Sequence, residues 1–212
     1  MIGSKFTPRA VSALALLASV VVILGALSAR PPVIGANAGP YHAGELLVAT
    51  DEMKDPRFVE SVIYLVKHDA DGALGLVINR PLAQGPIDDL LKGIGAEAKG
   101  SKLEVTLHYG GPVSSRQVFM LHSDEMTLDS SVRVSGGIAM TADIRMINAI
   151  AEGKGPRQYL FMLGYTGWAP GQLEMELKAN SWFTVAADKA LIFGADADKK
   201  WRQATDKRQI PL

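Results

Sequence analysis

The chain has 212 residues, no cysteine, 48% hydrophobic and 21% charged residues, the composition of one ordinary globular domain. It excludes intrinsic disorder, disulfides, thiol nucleophiles and thiolate metal sites. Basic and acidic residues balance at 22 each, and without residues 1–38 they stand at 19 to 22, a net charge of −3 that lacks the positive footprint nonspecific nucleic-acid binding requires.

Residues 10–29, "AVSALALLASVVVILGALSA", carry no charge, follow Lys5 and Arg9, and precede Arg30. The run is long enough to cross a bilayer as an uncleaved anchor. Ala36-Asn37-Ala38 also suits signal cleavage, so both readings stand. The basic excess before the run places the body outside the cytoplasm, membrane-anchored or exported. The expected organisation is an N-terminal signal or anchor with linker over 1–40, one domain over 41–205, and a tail over 206–212.

Beyond Tyr41, "ELLVAT" (45–50), "SVIYLVKH" (61–68) and "ALGLVI" (73–78) read as strands, the last two joined by the hairpin turn "DADG". "PIDDLLKGIG" (86–95) reads as a short helix with acids in its first turn. "LEVTLHYG" (103–110), "RQVFMLH" (116–122) and "SVRVSGGIAM" (131–140) continue the strand pattern. In "TADIRMINAIAEG" (141–153) the period becomes helical, with Thr141 placed to cap the first turn. "RQYLFMLGY" (157–165) returns to strand, "QLEMELKAN" (172–180) to helix, "WFTVAA" (182–187) and "ALIF" (190–193) to strand, and "DADKKWRQAT" (196–205) closes as a helix. Consecutive strands without strict βαβ alternation predict a mixed α+β fold with a curved, largely antiparallel sheet flanked by helices.

Three glycine-bearing stretches end in polar or aromatic groups: "GALGLVINRP" (72–81), "HYGGPVSSRQVFMLH" (108–122) and "GYTGWAPGQLEMEL" (164–177). None matches a dinucleotide, Walker, zincin or nucleophile-elbow motif. The four histidines are each more than ten residues apart, so no metal site is predicted and no cofactor is implied. Ser114 and Ser115 read as turn residues rather than nucleophiles. Asn79 suits a bond to turn backbone, whereas Arg80 suits a carboxylate, either an internal one such as Glu174 or Glu176 or one on an anionic ligand. Trp168 suits core packing or stacking on a flat ligand.

In order and spacing these stretches, with "GELLVAT…D..F..SVIYLVKHDADGALGLVINRP", "GGPV…VFMLH" and "LGYTGWAPGQLEMEL..NSWF", resemble the YqgE/AlgH family of bacterial proteins across roughly residues 42–203. The resemblance implies a flattened, barrel-like sheet surrounded by helices. It implies a proposed regulatory role in alginate production and no established catalytic mechanism. The matching positions include Gly72, Gly75, Asn79, Arg80, Pro81, Gly110, Gly111, Pro112, His122, Gly164, Gly167, Trp168, Gly171, Gln172, Glu174 and Trp182. Members usually begin near the equivalent of Gly44 and look cytoplasmic, so the apolar extension is a departure. The expected function is a non-enzymatic binding or regulatory module. Its surface, around Asn79, Arg80, Gly110, Gly111, Pro112, His122, Gly167, Trp168, Gln172 and Glu174, would take a protein or a small anionic ligand. The alternatives are a hydrolase-like enzyme with Arg80 orienting an anion and His122 or Glu174 as acid or base, and a transcriptional regulator, which the charge balance disfavours.

Overall fold

The computed structural model describes residues 33–34 and 41–208. The expected anchor or signal over residues 10–29 lies outside the described residues. Among the described residues, no helix is long and apolar enough to cross a membrane.

The strands and helices run in the order β1 (Val33–Ile34), β2 (Glu45–Ala49), β3 (Val62–Asp69), β4 (Gly72–Val77), β5 (Pro81–Pro86), α1 (Ile87–Gly93), β6 (Glu104–Tyr109), β7 (Val113–Ser123), β8 (Val132–Val134), β9 (Ile138–Thr141), α2 (Ile144–Ala151), β10 (Tyr159–Trp168), α3 (Gln172–Lys178), β11 (Trp182–Ala186), α4 (Lys189–Phe193) and α5 (Ala197–Arg208). The strands form one strongly curled sheet in the order β1-β8-β9-β7-β10-β4-β3-β2-β11, with β6 beside β10 and β5 beside β6. Among the described residues only the β1–β8 and β10–β6 pairings are parallel, so the fold is the expected mixed α+β one with a largely antiparallel sheet.

β10 joins the two halves of the sheet. Its first half lies between β6 and β7, and its last three residues pair with β4 instead. The bend falls at Gly164, whose φ of 71° is one that L side chains rarely adopt. Here the chain leaving β6 crosses very close to β10. A Cβ on Gly110 would lie 2.2 Å from the Gly164 carbonyl oxygen, and one on Gly164 would lie 2.4 Å from the Gly111 carbonyl oxygen. The glycines of the second and third motifs are therefore where two backbones touch.

Both faces of the β2–β3–β4 half are covered, which is why its strands read as unbroken apolar runs. Leu46, Val48, Tyr64 and Leu76 face a core that α4 and α5 help to close with Leu191, Ile192 and Ala204. Leu47, Ile63, Leu65 and Val77 face a second core, with Trp168, Leu173 and Trp182. In the other half, Ile87 and Leu91 of α1 and Met146, Ile147 and Ile150 of α2 pack on Val105, Met120 and Phe161.

Three local expectations need correction. "ALIF" is not a strand: residues 189–193 form α4, because the Asp188 carboxylate accepts the Leu191 N–H at 2.7 Å and starts a helix. Thr141 does not cap α2. Asp143 does, accepting the Arg145 N–H at 2.9 Å, while Thr141 ends β9 and its hydroxyl accepts the Asp143 N–H. β5 was not expected, since "PLAQGP" has no β-branched or aromatic residue and has a proline at each end. It forms as an edge strand paired with β6 alone.

Candidate functional site

The three motifs meet at one cleft. Between residues 52–58 and the β10–α3–β11 corner lies a cavity of about 530 Å³, lined by Pro112 of the second motif, Gly167, Trp168 and Gln172 of the third, and Arg57 and Phe58 on the opposite wall. The first motif does not line it but holds that opposite wall. Asn79 accepts the Val62 N–H at 2.9 Å and donates to the Glu60 carbonyl at 2.8 Å, and Arg80 Nη2 donates to the Val59 carbonyl at 2.6 Å. Arg80 is therefore a clamp on backbone, and neither Glu174 nor Glu176 is its partner. Glu60, gripped in this way, sits at a φ of 54°.

At the cleft's inner end, Glu176 collects three donors. Its Oε2 accepts the indole N–H of Trp168 at 2.9 Å and of Trp182 at 2.8 Å, and its Oε1 accepts from Gln172 Nε2 at 2.8 Å. Gln172 uses its oxygen to accept the Ala169 N–H, which fixes the start of α3. Trp168 and Trp182 stand edge to face with centroids 6.3 Å apart, and Phe58 meets Trp182 in the same way at 5.7 Å. On the outer wall Asp55 binds Arg57 through both carboxylate oxygens, which holds the Asp55 carboxyl below its ordinary value. Lys54 has no ion-pair partner among the described residues.

Gly110 and Gly111 lie beside this cleft in the chain crossing, where the Gly110 carbonyl accepts both the Val77 N–H and the Thr166 hydroxyl. Glu174 lies elsewhere. Two residues from Glu176 on α3, it faces another side of the helix and accepts from His68 at 3.2 Å. His68 Nδ1 accepts the His42 N–H at 3.0 Å, so the ring proton sits on Nε2. Burial pushes the His68 imidazole below its ordinary value, and Glu174 offsets part of that shift.

His122 is also remote from the cleft, pairing in register with Tyr159 at the other end of β10 from Trp168. It is fully buried, its Nδ1 bonds the Ser123 carbonyl at 3.0 Å, and its Nε2 has no partner among the described residues. Burial lowers its imidazole. His122 and Glu174 thus do not converge with Arg80, and among the described residues no cluster of three metal-ligating side chains occurs.

A profile of the AlgH-like family matches residues 46–212. The chain belongs to the AlgH-like family. A UPF0301 protein of Methylococcus capsulatus is 40% identical over 183 residues, covering 86% of this chain and all of that one. Another, from Afipia carboxidovorans, is 38% identical over 194 residues, covering 88% and 92%. The solution structure of the AlgH protein from Pseudomonas aeruginosa superposes with a TM-score of 0.72 at 34% identity, covering 84% of this chain and 95% of that one. A crystal structure of a Corynebacterium diphtheriae protein, with a TM-score of 0.62 at 20% identity, covers 84% and 91% and is alike in fold. Within this AlgH-like chain, Asp55 and Phe58 of the cleft's outer wall are the spaced positions of "D..F..SVIYLVKH" in the family resemblance, whereas Lys54 and Arg57, in the same irregular segment, are wall residues that the sequence reading did not single out.

Proposed function

We propose that this AlgH-like protein is a non-enzymatic binding module whose recognition site is the cleft between residues 52–58 and α3, taking a segment of a partner protein. The observation that carries the reading is convergence: the second and third motifs line one wall of the cleft, and the first bonds residues 59, 60 and 62, which continue the chain directly from the other wall. Buried aromatic anchors beside a polar, exposed rim are the composition of a recognition pocket. The side chains that acid–base chemistry would need are dispersed instead, with His122 buried at one end of β10 and Glu174 occupied by His68.

A photo-reactive residue replacing Lys54, on the cleft's exposed wall, tests this in cells. The expected result is one discrete protein adduct from position 54, none from a control at Lys178 on α3, and loss of the adduct in Gln172→Ala. Absence of an adduct at 54, or equal labelling at both positions, would overturn the reading. The uncharged run before the body supports a location outside the cytoplasm. Protease digestion of spheroplasts should therefore remove the body, and a body protected until lysis would return it to the cytoplasm.

A further inference from the structure

A second hollow lies outside the motif cleft, between α1 and the strands β5, β6 and β7. It encloses about 350 Å³, within the range of small-molecule pockets, and its wall is mostly aliphatic: Leu90 from α1, Ile94 just after it, Val105 and Leu107 from β6, Val118 from β7. Two charged side chains reach it. Asp89 is paired with Lys92 at 3.4 Å. Arg116, exposed on β7, has neither an ion pair nor a side-chain hydrogen bond among the described residues, and it also lines the adjoining hollow toward Ile144 and Ile147 of α2. The uncompensated charge of the site is thus one guanidinium beside an aliphatic chamber.

Two glycines of the lining have no structural need to be glycine. Neither Gly85 on β5 nor Gly93 at the end of α1 takes a positive φ, and a Cβ on either would meet nothing within 4 Å. Gly110 and Gly164, by contrast, are forced by contact. A helical glycine without a left-handed backbone is a poorer helix former than alanine, so bare backbone at Gly93 gives up helix stability and leaves the chamber open.

We infer that this hollow between α1 and β5–β7 binds a small amphipathic monocarboxylate, with its aliphatic body among Leu90, Ile94, Val105 and Leu107 and its carboxylate on Arg116. A planar guanidinium takes a carboxylate through two parallel N–H bonds, which suits one terminal acid group. The aliphatic wall supplies affinity without direction, so the headgroup sets the pose. The site shares no lining residue with the Trp168 cleft and stands independently of the partner-binding reading.

Equilibrium dialysis of the full chain against octanoate, with 1-octanol as the neutral probe, tests the assignment. Octanoate is expected to bind saturably and more tightly than octanol. Arg116→Ala should weaken octanoate about tenfold or more and octanol less than about twofold. Gly93→Leu, which fills the chamber from a position with open space, should abolish saturable binding of both probes while the thermal midpoint holds or rises. Should Gly93→Leu fail to fold, Gly85→Leu blocks the opposite wall and gives the same reading. The inference is overturned by the absence of saturable octanoate binding, by binding that survives in folded Gly93→Leu or Gly85→Leu, or by an Arg116→Ala effect equal for acid and alcohol.

Discussion

Trp168 donates its indole N–H to Glu176 at 2.9 Å, one turn and more along from β10 into α3, and Trp182 donates to the same oxygen at 2.8 Å from β11. One carboxylate thus joins three elements. Both indoles are nearly buried, at 7% and 3% exposure, so losing the carboxylate leaves each N–H with little access to a substitute acceptor. Glu176→Ala leaves two buried donors unpaired at about 1–3 kcal/mol each, and a total loss of about 3 kcal/mol is expected. Glu176→Gln keeps one acceptor oxygen for the two indoles but turns the other oxygen into an NH2 facing the Gln172 amide donor, so its loss should be smaller than that of Glu176→Ala. Urea unfolding followed by tryptophan fluorescence measures both, and equal losses for the two variants would show that the carboxylate's charge, not its acceptor role, matters.

The grip of Asn79 on residues 60–62 gives a second expectation. Asn79→Ala removes two hydrogen bonds that hold the outer wall of the cleft, at about 1 kcal/mol each, and exchange of the Val62 amide should accelerate with the loss. Glu60, held at a φ of 54°, is strained as an L residue, so Glu60→Gly should gain about 1 kcal/mol. A Glu60→Gly variant less stable than wild type would mean that the Glu60 side chain contributes more than its backbone costs.

The glycines divide into two classes that alanine substitution separates. Gly110→Ala and Gly164→Ala each place a methyl group within 2.4 Å of a carbonyl oxygen in the backbone crossing, and neither strand can retreat without breaking ladder bonds. Both variants should be expressed as insoluble or unfolded chain. Gly93→Ala, with open space around it, should raise the thermal midpoint through helix propensity of about 1 kcal/mol. Soluble, native-like Gly110→Ala by circular dichroism would refute the crossing as the reason for that glycine.

These residues also mark what was legible in the sequence. The doubly buried strands announced themselves, because burial on both faces demands continuous apolar runs such as "SVIYLV". The short run "ALIF" carries no period, so strand and helix were indistinguishable except through Asp188 ahead of it. β5 exists because β6 offers it a partner, a fact of tertiary structure that its own residues do not encode. The motif positions were visible by resemblance, but their convergence was not. Asn79 acts on residues 17 and 19 positions upstream, and Glu176 finds two indoles rather than Arg80. Asp55 and Phe58 stand in the resemblance ahead of the first motif, but no linear pattern shows that Asn79 and Arg80 bond the residues that follow them.

Three buried imidazoles set the acid side of the stability profile. Burial lowers His68, His108 and His122 below the usual imidazole value of about 6.5, so below that pH the unfolded chain binds protons that the folded chain refuses. Stability from these groups is complete above the unfolded value and is lost as pH falls toward the folded ones. His68 adds a geometric reason: protonated at Nδ1, it can no longer accept the His42 N–H. The urea midpoint should fall between pH 7 and pH 5.5, and a flat profile there would contradict the burial assigned to these rings.

Lys200 sets the alkaline side, with the same protonation arithmetic and the same sign: burial again lowers the folded value below the unfolded one. It is 1% exposed, and its ammonium donates to the Ile78 carbonyl at 3.0 Å and the Ile192 carbonyl at 2.7 Å, fastening α5 to the end of β4 and to α4. No carboxylate accompanies it, and burial pushes its pKa down to about 8. An unfolded lysine titrates near 10.4. Between those values the unfolded chain holds a proton that the folded chain has released, so stability rises with pH across that window. At 1.36 kcal/mol per unit, wild type should gain about 2–3 kcal/mol from this group between pH 7 and pH 10. Tyr64 and Tyr159, raised by burial, oppose this as the pH nears 10, where unfolded tyrosine is about half ionised. Lys200→Met removes the titrating group and leaves two carbonyls without a donor, so it should lack the alkaline gain whatever its stability at pH 7. Urea midpoints for both proteins at pH 7, 8.5 and 10 decide the matter: diverging profiles assign the gain to Lys200, and parallel ones would mean that its ammonium is solvated in the folded state.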